Sequence, residues 1–289
     1  MSDQTKGLIL TTIGVLAVVP DSLMVRLVQA DTMTFIFLRG GLAGFVIFAF
    51  ILFQNGRDTA KIYRVLGRPG LQYAALLAIS TFCFIFALRL TSIANALFIV
   101  STSPVFAAIA SRVVLGQPFS RRMVWTTLFA LIGIAVIAFG SSGIGQASLL
   151  GDLIALGAAS SLAFAFTTAR ATRQLSMVPA TALGYALTCL VCIPFTNLTA
   201  VSTQDWILLT ILGGMFVPLG TSFMSLGPRY ITSAEVALLL LLEAVLAPLL
   251  VWYAVGENPG VYALLGGAIV LGTLFISNLI GLKRAKHYP

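Results

Sequence analysis

The sequence predicts an all-α integral membrane protein whose ten transmembrane helices form two inverted five-helix repeats. Three observations predict it. The chain is 59% hydrophobic and only 9% charged, it divides into ten apolar runs, and all but three of its 17 lysines and arginines fall on one side of the bilayer those runs define. Soluble domains carry roughly a quarter charged residues. Here 17 basic and 9 acidic side chains must serve 289 residues of mean hydropathy +1.03, too few to solvate a globular surface, so the outer face must meet lipid.

A bilayer core of about 30 Å needs roughly 20 helical residues. The first run, 7–28, follows Lys6 and contains Pro20; it is longer than a signal-peptide core and lacks a clean small-residue cleavage site, so it is expected to be a mature helix. The second, 33–53, carries Gly40-Gly41-Leu42-Ala43-Gly44, which allows close helix contact, and stops at Gln54-Asn55-Gly56-Arg57-Asp58. The third, 71–90, follows Lys61, Arg64 and Arg68 and ends at Arg89, where snorkelling accounts for the charge. The fourth, 93–115, contains Pro104 and stops at Gly116-Gln117-Pro118. The fifth, 122–140, begins with the pair Arg121 and Arg122, carries Trp125 near that start and stops at Ser141-Ser142-Gly143. The sixth, 151–172, ends in Arg170 and Arg173. The seventh, 180–198, contains Cys189-Leu190-Val191-Cys192; the spacing is that of a redox or metal motif, but at lipid depth with no second ligand pair it reads as structural. The eighth, 205–227, contains Trp206 and Pro218 and stops at Leu226-Gly227-Pro228-Arg229. The ninth, 232–254, contains Pro248 and Trp252 and stops at Gly256-Glu257-Asn258-Pro259. The tenth, 261–282, carries Gly266-Gly267-Ala268 and leads into Lys283, Arg284 and Lys286.

Net charge is +8 and the pI near 9.8. Basic residues at the ends of apolar runs set membrane orientation, so this balance reads as topology and implies no nucleic-acid partner. Only Arg26, Arg39 and Arg89 lie on or towards the other side, which places both termini in the cytoplasm, as an even number of spans requires. His287 in the tail and the scattered Cys83, Cys189 and Cys192 leave little for a metal site, and no cofactor is expected.

Ten runs divide into halves at residues 1–145 and 146–289. The halves echo one another: Arg89-Leu90-Thr91-Ser92-Ile93-Ala94 opens the fourth run as Tyr230-Ile231-Thr232-Ser233-Ala234-Glu235 opens the ninth, and Gly116-Gln117-Pro118 and Gly256-Glu257-Asn258-Pro259 close them, about 140 residues apart. Five is odd, so the second half must cross in the opposite sense, the inverted repeat that secondary transporters use around a central site.

Two five-helix halves, Thr-Ser before the fourth helix of each, Pro104 and the Gly256-Glu257 turn resemble the EamA-type members of the drug/metabolite transporter superfamily, and most of all the YddG branch, which exports aromatic and other amino acids. Gln117 stands where many relatives have Glu, which argues against chemistry at that turn. The resemblance implies that the first, third, fourth, sixth, eighth and ninth helices line the path while the fifth and tenth lie peripherally.

Ionisable groups at membrane depth are candidates for a cavity or a paired interface. Glu243, in mid-span, can bind a substrate ammonium or exchange a proton; packing between helices as a protonated or hydrogen-bonded side chain is the alternative. Ser101, Thr102 and Ser103 lie at comparable depth and can hydrogen-bond a solute, or only a backbone carbonyl. Asp21 is expected to pair with Arg26 or Arg39 at the outer mouth, a direct substrate role being the alternative, and Glu235 with Arg229 at the cytoplasmic interface. Pro20, Pro104, Pro218 and Pro248 each remove a hydrogen bond to the carbonyl four residues earlier, those of Leu16, Val100, Gly214 and Ala244, and are candidate hinges. Phe82, Phe86, Phe98, Phe164 and Tyr185 are candidates to line a cavity for a planar substrate, against lipid or core packing.

No paired-carboxylate, Ser/His or His-rich arrangement supports an enzyme, no GxxxxGK loop supports ATP hydrolysis, and isolated polar groups in kinked helices do not make a channel filter. A carrier fits: an exporter of amino acids or related amphipathic small molecules across a bacterial-type inner membrane by alternating access. The alternative is an exporter of cationic or aromatic drugs. Proton coupling through Glu243 and uncoupled diffusion both remain open, as does the oligomeric state. Few intramembrane cations argue against phosphorylated substrates.

Overall fold

Glycine, proline and capping residues set where the helices start, break and stop. In the computed structural model, residues 2–90, 93–116, 121–141, 148–256 and 260–287 are described, apart from the side chains at 93–95, 98, 137–141, 248, 251, 255, 260, 263, 278–279 and 281–287. The regular structure among the described residues is helical throughout. Helix α1 (Asp3–Leu27) starts where Ser2 Oγ accepts from the Thr5 amide. Helix α2 (Thr32–Asn55) starts where Asp31 accepts from the Thr34 amide at 3.0 Å. It stops at Gly56, whose φ of +51° an L side chain rarely adopts. Helix α3 (Thr59–Leu90) is kinked at Gly67, φ +52°, ahead of Pro69, which sets its basic lead-in off from the apolar span.

The fourth run forms two helices, α4 (Ile93–Val100) and α5 (Ser103–Leu115), parted at Ser101 and Thr102 because Pro104 cannot donate back to Val100. Helices α6 (Arg121–Ser141) and α7 (Leu149–Ala171) follow, and α8 (Val178–Cys192) closes in a 3-10 turn that contains Pro194. The eighth run is α9 (Thr203–Ile211), a π turn at Leu212–Phe216 and α10 (Val217–Leu226); the π turn ends two residues before Pro218, where the helix must re-form its bonding. Helix α11 (Ser233–Val255) starts in a capping box between Thr232 and Glu235, and α12 is Gly260–His287.

Two hinge candidates behave differently. Pro20 lies inside an uninterrupted α1, and Pro248 inside an uninterrupted α11, its side chain outside the described residues. The turn residues Gln117-Pro118, Ser142-Gly143 and Glu257-Asn258-Pro259, and the Thr91-Ser92 pair, also lie outside the described residues.

Six stretches among the described residues are long and apolar enough to cross a membrane: Asp3–Leu27, Thr32–Leu90, Leu149–Ala171, Val178–Phe195, Thr203–Arg229 and Ser233–Ala254. The second is 59 residues long; as one rod it would reach about 90 Å, three bilayer cores, and the break at Gly56 makes two helices of it.

Packing follows small residues. Helices α1 and α10 cross at Gly14 and Gly220, where a Cβ on Gly14 would stand 2.7 Å from the Gly220 carbonyl oxygen. Helix α2 packs on α8 and α3 on α7 and α8, while α5 meets α7 and α11, and α6 lies along α12. At one end of the bundle the Gln29 amide donates to Asp205 and the Asn197 amide to Thr34 Oγ1. Arg89 donates there to the carbonyls of Val28 and Ala30 and sits over Phe35, so it is tied to the protein rather than snorkelling free. At the other end Arg122 pairs with Glu235, Arg170 donates to the carbonyls of Pro228 and Arg229, and Arg229 donates to that of Arg173. The partner of Glu235 is therefore Arg122, not Arg229: the sequence neighbour is drawn off to cap a loop carbonyl.

Candidate functional site

Helical periodicity brings polar side chains from both halves of the chain onto one cavity of about 110 Å³. One water needs roughly 10–15 Å³ by the same measure, so the cavity has room for a small solute. On α1, Val18 and Asp21 are three apart and share a face. On α3, Tyr73, Leu77, Ser80, Thr81 and Phe84 form a stripe at helical spacing. Leu97, Val100 and Ser101 come from α4 and the break after it, Thr221 and Met224 from α10, and Tyr185 from α8. Helix α11 adds Leu240, Leu241, Glu243 and Ala244, and α7 adds Ala158, Leu162 and Phe166.

The charge in this apolar enclosure is concentrated. Arg39 Nε donates to both carboxylate oxygens of Asp21, at 2.9 and 3.1 Å, and Nη2 to Asp21 Oδ2. The two side chains are 7% and 3% exposed. Arg39 Nη1 is buried with no partner among the described residues, a donor held in reserve. Ser22 Oγ, beside Asp21, donates to Glu243 Oε1 at 3.2 Å and so links α1 to α11. Glu243 is only partly covered, because one side of it faces the cavity.

The structure therefore sets Asp21 with Arg39 inside the bundle rather than at the outer mouth. Arg39 stands seven residues after Thr32, about 10 Å along the helix, and is buried against the cavity. Arg39 is a cation inside an apolar run, but its Nε and Nη2 are committed to Asp21, so it forms no clamp for a phosphate. The backbone around Arg39 is crowded too: a Cβ on Gly213, in the π turn, would stand 2.8 Å from its carbonyl oxygen.

Of the remaining candidates, Ser101 and Tyr185 line the cavity with Glu243 and Asp21. Ser101 Oγ donates to the Leu97 carbonyl and Thr102 Oγ1 to that of Ile99, both at 2.6 Å, and Ser103 Oγ is buried without a partner among the described residues. Thr102 and Ser103 are outside the cavity lining. So is Phe82, which packs on the core that α2 and α8 share; one residue past Thr81 turns a side chain about 100° away, and Phe84 takes the lining place instead. Pro104 and Pro218 stand beside cavity-lining residues, at the 101–102 break and next to Thr221. Residues that sequence reasoning passed over are Ser22, Tyr73 and Thr81, while Arg39 was named only as a partner for Asp21; the stripe on α3 was legible as a polar face at i, i+7 and i+8 in an apolar run.

Cys189 and Cys192 are free thiols, and no group of metal-ligating side chains stands together among the described residues.

The profile of the EamA-like transporter family matches residues 5–139 and again residues 149–279. An uncharacterized transporter, YdfC, of Bacillus subtilis (strain 168) is 28% identical over 183 residues, an alignment that covers 60% of this chain and 58% of that relative. The chain thus matches little more than half the length of that relative. A crystal structure of another protein superposes with a TM-score of 0.80 at 19% identity, covering 96% of this chain and 98% of that one; at such identity the likeness speaks to fold alone.

Proposed function

The chain belongs to the EamA-like transporter family, and we propose that it is a secondary transporter that exports amino acids or related small amphipathic metabolites, aromatic amino acids within that class, by alternating access. The observation that carries this reading is the cavity with its charges: Arg39 offers a guanidinium for a carboxylate, Asp21 and Glu243 offer carboxylates for an ammonium, and the walls around them are apolar. A zwitterion with a compact side chain meets complementary groups there. Proton coupling through Glu243 is part of the proposal.

Ten crossings in two inverted halves, 1–145 and 146–289, supply the mechanical frame. Supporting it are the two successive family matches and the helix pairing. Exchange of the halves would turn the α1·α10 contact into the α3·α7 contact and map α2·α8, α5·α11 and α6·α12 onto themselves, and these are packed pairs of the bundle. The groups around the cavity come from both halves, so rocking of one against the other would open it to each side in turn. Lys6, Arg122, Arg170 and Arg229 gather at one end of the bundle and Arg26 and Arg89 at the other, which supports cytoplasmic termini in a bacterial-type inner membrane.

Counterflow in proteoliposomes loaded with a labelled amino acid tests this. Unlabelled amino acids should accelerate exchange, and derivatives blocked at the amine or the carboxylate should not compete. Exchange of lipophilic cations without response to amino acids would instead favour the drug-exporter reading, and a new product formed in detergent would mark an enzyme.

A further inference from the structure

A second concavity, of about 750 Å³, runs along the outside of the bundle between α6 and α12, away from the polar cavity. Its walls are apolar and open to the surroundings: Trp125 and Phe129, one turn apart on α6, stack with centroids 6.0 Å apart, and Ile276 and Ile280 face them from α12, 58% and 41% exposed. Its head is basic. Arg122 is committed, donating to Glu235 Oε1 at 2.5 Å and to the Ser277 carbonyl at 3.0 Å. The Thr126 hydroxyl lies 2.8 Å from both Ser277 Oγ and the Arg122 carbonyl, to which it donates. Arg121 is exposed and has no acceptor among the described residues. Among the described side chains, one cation without an acceptor therefore stands at the mouth of an aromatic and aliphatic trough.

We propose that this groove binds one anionic phospholipid, its phosphodiester against Arg121 and its acyl chains along Trp125, Phe129, Ile276 and Ile280. The dimensions agree: from Arg121 to Phe129 is eight residues, about 12 Å of helix, the distance from headgroup to upper acyl chain, and an indole one turn inside the charge is where interfacial aromatics sit. Charge complementarity selects the lipid, since a zwitterionic headgroup brings its own cation to Arg121 while a net anion does not. A second copy of the chain seated here would enclose Arg121 without an anion, which is costly. The inference needs the chain to be in a bilayer but not the transport reading.

The full chain in detergent, titrated with phosphatidylglycerol and followed by native mass spectrometry, tests it, with phosphatidylethanolamine and inorganic phosphate as the other arms. One phosphatidylglycerol should be retained more tightly than the rest. Arg121→Gln should weaken that one about fivefold, Arg121→Lys should keep it, and Arg64→Gln, on the basic lead-in of α3, should leave it unchanged. Equal retention of the two lipids, an Arg121→Gln variant that binds like the parent, displacement by inorganic phosphate at similar concentration, or a dimer that Trp125→Ala dissolves would each overturn the assignment.

Discussion

Splitting the Asp21 and Arg39 pair is the most direct probe of the cavity's energetics. Asp21→Leu leaves a guanidinium that is 7% exposed without the carboxylate that accepts from its Nε and Nη2; Arg39→Met leaves the carboxylate alone. Removing one partner of a buried pair costs about 3–5 kcal/mol, whereas replacing both with apolar side chains of similar size is close to neutral. With an unfolding entropy of about 2.1 cal/mol/K per residue and 289 residues, each single variant should lower Tm by roughly 5–8 °C. The double variant Asp21→Leu/Arg39→Met should recover most of that loss. Thermal unfolding of the four proteins in one detergent, followed by tryptophan fluorescence, gives the cycle. Counterflow on the same samples separates roles: the double variant should be stable yet inactive, because the group that holds the solute is gone. Single-variant losses that simply add in the double would show that the two side chains do not act as a pair, and an active double variant would remove them from the binding site.

Three further outcomes follow from the same geometry. Glu243→Gln should weaken amino acid counterflow, Asp21 being left as the carboxylate for the ammonium, and should abolish the response of flux to an imposed pH gradient; unchanged flux and pH dependence would take Glu243 out of both binding and coupling. Gly14→Ala forces a methyl to within 2.7 Å of the Gly220 carbonyl and should destabilise by about 1–3 kcal/mol, whereas Gly272→Ala, which meets open space, should stabilise by about 0.5–1 kcal/mol; equal effects in thermal denaturation would mean the α1–α10 crossing is not tight. At Asp31, burial raises the carboxyl pKa but hydrogen bonds from Thr34 and Met33 outweigh it, and the value lies below the ordinary carboxylate range. A depressed folded pKa means that the cap's contribution is present at neutral pH and fades as pH falls through that lowered value, so Asp31→Ala should narrow its stability gap to the parent in acid; a constant gap from neutral pH to pH 3 contradicts the cap.

Much of the fold was legible because lipid imposes a simple rule: apolar runs of fixed length, punctuated by Gly and Pro. Gly56 and the 101–102 break were visible as punctuation, and the Gly40 to Gly44 run as a packing face, where it meets Tyr185 and Ala182. Depth within a run was harder to judge. Arg39 reads as an outer charge when only distance from the run's end is counted; its pairing with Asp21 was one of two expected, but the cavity that α3, α8 and α11 build around that pair is in no single-helix pattern. The same gap separates Phe82 from Phe84: both are aromatic and mid-span, and only the rotation of α3 against α7 and α8 decides which faces the cavity. The Arg122–Glu235 pair joins residues 113 apart in sequence, and the neighbour Arg229 offered a shorter but false alternative.

The central claim is that the two halves thread the membrane in opposite senses around the shared cavity. In a background free of Cys83, Cys189 and Cys192, single cysteines at Arg57 and Asn197 mark the loop after the second span of each half. Asn197 lies beside Thr34, at the opposite end of α2 from Arg57. A membrane-impermeant maleimide applied to intact cells should label the Asn197→Cys protein and reach the Arg57→Cys protein only after the membrane is opened. Labelling of both from the same side would contradict the account.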